Sequence, residues 1–206
     1  MRGFVPSGAP VLKLTAAISD VATVDGEILA VGGSQLVFAS ATGKQAGSVK
    51  LPATGMRLAA ADGDRAVYLY GGAKGAVYRY GAGGAYVDLF RVDEPITALA
   101  VSGERVVFAV GGDLFTWKAG EDAVLVARLP DGIVSSLAID GRAGIVYGST
   151  ADIVFAVADG NIVPLIEGVG GDLTVIEGKL TVLLGTRRAL LRISGMEKLL
   201  GANARP

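Results

Sequence analysis

The chain of 206 residues contains no cysteine and no histidine. Without cysteine there are no disulfides, no thiolate metal sites and no cysteine nucleophile. Without histidine the Ser-His-Asp triad, the imidazole general base and the imidazole metal ligand are all excluded. Long hydrophobic runs are missing too, although the mean hydropathy of +0.50 is high. A spanning helix needs roughly 18 consecutive apolar residues, whereas apolar stretches such as "VVFAV" and "ILAV" end at glycine or charge. No membrane span is expected. Nor is there an excess of charge of either sign: 19 basic and 20 acidic residues leave a formal net charge of −1. That balance provides none of the basic field that nucleic acid or an anionic membrane requires.

Local motifs are equally sparse. "GGAKG" at 71–75 lacks the phosphate-loop spacing and reads as a turn between strands. There is no Ser-x-x-Lys and no Gly-x-Ser-x-Gly. No catalytic residue, metal ligand or cofactor is therefore assigned. The N-terminus "MRGFVPSGAPVLKL" places proline and glycine where a signal peptide needs an unbroken hydrophobic segment. No export signal is expected, and the compartment stays open.

What the chain does have is glycine, 31 of them, in a 51% apolar sequence, and they are periodic. A tag of an apolar residue, then Asp, Ser or Glu, then glycine serves as a ruler, falling at five near-evenly spaced places. Its glycines, Gly26, Gly63, Gly103, Gly141 and Gly178, are 37, 40, 38 and 37 residues apart. A near-constant period means one repeated supersecondary unit, and roughly 40 residues is the length of a four-stranded propeller blade. Each copy divides into short β-branched and aromatic segments bounded by turn residues. In the third these are "TALAV", "RVVFAV", "DLFTWK" and "AVLVARL", with turns at Ser102-Gly103 and Gly111-Gly112 and a loop at 119–123. The inner strands are expected near 20–24, 57–61, 97–101, 135–139 and 172–176.

The outer segments "VLKL", "SVKL", "YVDL", "VARL" and "IVPL" put Lys13, Lys50, Asp88, Arg128 and Pro164 at one equivalent position. Charge and proline there discourage strand addition at an exposed edge. "VLKL" at 11–14 precedes the first complete copy and reads as a displaced outer strand that closes the last one. "MEKLL" at 196–200 competes for that place. Lys198 follows Gly178 by 20 residues where the equivalents follow their glycines by 23 to 25, and Ser194 with Glu197 fits a capping box that opens a helical turn. The spacing thus favours N-terminal closure.

On these tags and the mid-copy glycine pairs the chain resembles the β-propellers of the bacterial repeat type, loosely the NHL-like, WD-repeat-like and quinoprotein-like propellers. The expected fold is all-β: a β-propeller of about five four-stranded antiparallel blades. The boundaries are a tail at 1–10, a propeller at 11–195 with repeats near 15–55, 56–95, 96–132, 133–168 and 169–195 plus the closing strand 11–14, and a C-terminal tail at 196–206.

In propellers the inner strands line a central channel. Counting six residues back from each tag glycine gives Asp20, Arg57, Thr97, Ser135 and Asp172, all polar, as a ring at the channel mouth. The ring reads either as an oxygen-lined ligand or cation site, or as a solvated mouth with Arg57 pairing one aspartate. Lys74, Arg187 and Arg188 lie in turns on the same face and suit an acidic partner. Tyr68, Tyr70, Tyr78, Tyr80 and Tyr86 concentrate in the second copy and are expected to pack between blades. The functional expectation is a non-enzymatic module for protein–protein interaction or a structural subunit of a larger assembly. A cation-dependent, lactonase-like hydrolase and a small-ligand binder at the mouth are the alternatives.

Overall fold

A computed structural model describes residues 14, 16–24, 26–60, 66–72, 74–81, 84–176, 178–186 and 189–195. The described residues form 19 strands and no helix. The first sheet holds β1 (Ile18–Val24), β2 (Glu27–Gly32), β3 (Gln35–Ser40) and β4 (Gln45–Lys50); the second holds β5 (Met56–Ala60), β6 (Val67–Gly71), β7 (Ala76–Tyr80) and β8 (Tyr86–Arg91). In the third are β9 (Ala98–Ser102), β10 (Arg105–Val110), β11 (Asp113–Trp117) and β12 (Val124–Arg128). The fourth contains β13 (Ser136–Asp140), β14 (Ile145–Ser149), β15 (Ile153–Ala158) and β16 (Asn161–Glu167), and the fifth β17 (Asp172–Ile176), β18 (Thr181–Gly185) and β19 (Leu190–Ile193). Each sheet is an antiparallel meander in chain order, and the five stand in a ring with their first strands innermost. The expected inner strands and the all-β propeller arrangement are what the structure shows. Residues 11–13 and 196–200, the two candidates for closing the ring, lie outside the described residues apart from Leu14.

The glycine pairs act as the sequence predicts. Gly111 and Gly72 turn their chains at φ of +60° and +74°, a region costly for a residue with a Cβ. A feature not read from the sequence is a register shift between the third and fourth strands of all four complete blades, at Phe38/Ala39, Val77/Tyr78, Leu114/Phe115 and Val154/Phe155. Such bulges increase strand twist, which lets the outer strand turn away from the channel axis.

The core lies between blades, because alternate residues of each strand face the preceding and the following sheet. Leu29, Val31 and Leu36 of the first blade pack with Leu58, Val67 and Leu69 of the second. Val107, Leu114, Val146 and Phe155 join the third to the fourth, and Tyr147, Val182 and Leu180 join the fourth to the fifth. The other face of the first blade is buried as well, with Ala30, Val37 and Ala39 at 0%, 2% and 1% exposure, as a ring requires. The second-blade tyrosines divide by strand: Tyr68 and Tyr70 of β6 pack toward the third blade, and Tyr78 and Tyr80 of β7 with Tyr86 of β8 toward the first. No described helix is long and apolar enough to cross a membrane.

Candidate functional site

The antiparallel registers put the start of each inner strand beside the end of its second strand: Asp20 faces Val31, Arg57 faces Tyr70 and Asp172 faces Gly185. The mouth and the turns after the second strands therefore share one face of the ring. Asp20, Arg57, Ser135 and Asp172 line a central cavity of about 510 Å³ together with all five inner strands. Thr97 stands beside it, its carbonyl accepting from Arg57 Nη1 at 3.3 Å.

The registers correct the ring by one residue in two blades. Ala98 faces Ala109 and Ser136 faces Ser149, so Ala98 and Ser136, not Thr97 and Ser135, are the structural equivalents of Asp20, Arg57 and Asp172. The cause is the tag itself: its third glycine is the first residue of the turn after Ser102, whereas Gly26 is the second residue after Val24. Counting back from the following turn instead would have found Ser136. Thr97 and Ser135 have a different task. Their hydroxyls donate to Ala109 O and Ser149 O at 3.3 Å, reinforcing backbone bonds from their own N–H groups to the same oxygens. Ser19 does likewise toward Val31 O.

The mouth side chains mostly bond one blade to the next. Asp20 Oδ2 accepts the Leu58 N–H at 2.9 Å, and Ser136 Oγ accepts the Leu173 N–H at 3.0 Å from the same register position two seams away. Asp20 Oδ1 also accepts the Val21 N–H, and Arg57 Nε lies 3.8 Å from Asp20 Oδ2. The Arg57 guanidinium is 5.7 Å from the centre of the Tyr70 ring. Of the two readings of the mouth, this geometry is the one with Arg57 paired to an aspartate. A cation approaching Asp20 would meet that guanidinium, and among the described residues no three acidic ligands converge. Asp172 is the exposed carboxylate of the ring, still able to accept hydrogen bonds.

Burial pushes the Tyr70 phenol up to about 12; Arg57 opposes the rise and the charges of Asp20 and Asp172 add to it. A group whose pKa is raised on folding stabilises fully below its unfolded value and loses that contribution as pH climbs through the folded value. Stability is therefore expected to fall between pH 10 and 12, with Tyr70 contributing on the order of 2 kcal/mol. Tyr86, also raised to about 12 by burial, adds to the loss. Tyr70→Phe should make the decline in urea midpoint over this interval shallower without abolishing it.

A second recess of about 520 Å³ lies between the fourth and fifth blades, lined by Ser135, Thr150, Gly170, Gly171, Asp172 and Thr186. It shares Ser135 and Asp172 with the channel mouth, so the two recesses adjoin there. The turn glycines on this face mostly serve the chain itself. A Cβ at Gly72 would lie 3.3 Å from Thr54 O and one at Gly112 3.1 Å from Leu129 O, because the segment linking successive blades crosses over these turns. Lys74 is exposed on the β6–β7 turn. Arg187 and Arg188 lie outside the described residues, between Thr186 and Ala189, whose mutual hydrogen bonds close the β18–β19 turn.

No protein-family model matches the chain, and no curated protein matches it at a significant level. Solved structures do. A chain of the nidogen/laminin complex superposes with a TM-score of 0.73 at 11% identity, covering 87% of this chain and 76% of that one. A gluconolactonase from Xanthomonas campestris gives 0.71 at 17% identity over 89% and 74%. A WD40 domain from Neurospora crassa gives 0.63 at 9% identity over 87% and 62%. At such identities the likeness extends to the fold alone. What these structures share with it is the propeller arrangement, and with its own five sheets in a ring the chain is a five-bladed β-propeller.

Proposed function

We propose that the protein is a non-enzymatic recognition module, or a structural subunit of a larger assembly, that engages a protein partner through the face bearing the channel mouth. The supporting observation is the furrow made of two recesses that adjoin at Ser135 and Asp172, together a longer surface than a small ligand needs. Its side chains are bonded internally in the way of a rigid platform. Asp20 accepts two N–H groups and faces Arg57, and the hydroxyls of Thr97 and Ser135 donate within their own blades. None is poised as a nucleophile or general base. Lys74 on the β6–β7 turn, and Arg187 and Arg188 in the sequence between β18 and β19, are the donors proposed for partner carboxylates. The activity of the gluconolactonase is not carried over, since fold alone does not transfer function.

The test starts from a pull-down in extract of the native organism. Arg187→Glu with Arg188→Glu should weaken retention of the partner about tenfold or more, with an unchanged far-ultraviolet spectrum. Substitutions at Asp25, in the sequence between β1 and β2, and Asp62, between β5 and β6, should leave it intact. Full retention by the arginine pair variant, with loss at Asp25 and Asp62, would move the binding surface to the other side.

A further inference from the structure

The face opposite the mouth holds a larger cavity than the channel. Between the second and third blades a groove of about 850 Å³ opens where the two sheets splay apart. One wall carries Tyr68 and Arg79, register partners on β6 and β7. The other carries Trp117, whose register partner Val106 on β10 lies beside it. The lip comes from two turns of the third blade: Glu104 follows Gly103 between β9 and β10, and Lys118 and Glu121 lie between β11 and β12. Nothing stands within 4 Å of the place a Gly103 Cβ would take, so this corner is open. Neighbouring seams are crossed at the same level: Arg105 Nη1 donates to Gly144 O at 3.5 Å between the third and fourth blades, and Gly178 N–H to Asp140 between the fourth and fifth.

Trp117 is the chain's only tryptophan, and it is held in place. Its ring lies 4.7 Å from Phe90, Phe90 lies 5.1 Å from Phe108, and Phe108 stacks on Phe115 at 5.2 Å with 13° between planes. A fixed, half-buried indole at the wall of a cavity is a platform for a planar or cationic group. Arg79 is already engaged in an interaction of its own. Glu104 and Glu121 are exposed and in no ion pair with a described residue. Against the single ammonium of Lys118, the two carboxylates leave the lip with an excess of negative charge.

We propose that this groove binds an arginine side chain of a partner polypeptide, its guanidinium stacked on Trp117 and paired with Glu104 and Glu121. A guanidinium suits the site better than an ammonium because it is planar, stacks on aromatic faces and meets carboxylates through a fork of donors. The aliphatic stem then lies along Leu89 and Val106. The surface is distinct from the mouth furrow and does not depend on the reading of that face.

With one tryptophan in the chain, its fluorescence reports the site directly. Titration with the peptide Ac-Gly-Arg-Gly-NH2 should change the emission saturably at millimolar concentrations, the range of a single stacked and paired side chain. The lysine peptide should bind more weakly, and the citrulline peptide, of similar shape without charge, should give no saturable change. Glu104→Gln with Glu121→Gln should raise the apparent Kd for the arginine peptide about tenfold while the far-ultraviolet spectrum and Tm stay unchanged. The proposal is overturned by equal responses to the arginine and citrulline peptides, by equal binding of the lysine peptide, or by an unaltered Kd in the double variant. It is overturned equally by the absence of any saturable change, or by stronger binding of Ac-Gly-Glu-Gly-NH2 that Lys118→Gln abolishes.

Discussion

Deletion of residues 1–15 is expected to lower the stability of the ring by several kcal/mol. The fifth sheet has three described strands where every other sheet has four, and its outer strand leaves Leu190 and Leu191 at 72% and 38% exposure. Leu14 gives the reason to look to the N-terminus. It precedes Asp20 by six residues, as Leu51 precedes Arg57. Leu51 ends the outer segment of the first blade and packs with Val67 and Leu69 on the second strand of the next. Leu14 Cδ1 lies against Gly32, at the end of the second strand of the first blade. It thus occupies, relative to the first blade, the place Leu51 occupies relative to the second, and the chain before it would belong to the outer strand of the fifth. The expected loss follows from the apolar surface of one strand at roughly 25 cal/mol per Å². Urea midpoints of the full and shortened chains measure it. An unchanged midpoint, with a large fall on deleting residues 196–206 instead, would give the closing role to "MEKLL".

Asp140→Ala is expected to cost about 3 kcal/mol, from lost hydrogen bonds to a charged acceptor. Asp140 is fully buried. Its Oδ1 accepts the Ala143 N–H at 3.0 Å, shaping the β13–β14 turn, and its two oxygens receive the Gly178 N–H of the fifth blade at 2.9 and 3.0 Å. Asp140→Asn, which keeps one acceptor, should cost less. The two perturbations should also be coupled. If removing the N-terminus already frees the fifth blade, the bond to Gly178 is worth little there, so Asp140→Ala should cost less in the shortened chain than in the full one. Strictly additive losses would show that the fifth blade stays docked without the N-terminus.

The architecture was legible because it is written in residue types with local meaning. Glycine marks positive φ, as at Gly72 and Gly111, and alternation of bulky residues placed the five tyrosines between blades, although which seam each one joins came from the structure. The mouth was legible only in part. A count from the tag glycine lands on Asp20, Arg57 and Asp172 but misses Ser136 by one, since the same tag sits at different points of turns of different length. The bulges had no marker, because several residue types serve at them. The bonds from Asp20, Ser136 and Asp140 to neighbouring blades were invisible for another reason: they depend on which backbone N–H the ring brings into reach, and that is a property of the packed blades. The composition shows Trp117 to be alone, yet only the splay of two sheets makes it the wall of a cavity.

Those bonds between blades have one further consequence. Asp20 reaches Leu58, Arg57 reaches Thr97, Ser136 reaches Leu173 and Asp140 reaches Gly178, at separations of 38, 40, 37 and 38 residues. Each therefore extends one repeat forward and no further. A duplicated copy inserted anywhere in the interior would find the same donors and acceptors waiting on both sides. None of these four bonds counts to five. The number of copies is decided at the single junction where the last meets the first, so gain or loss of a copy in descent would be judged there alone.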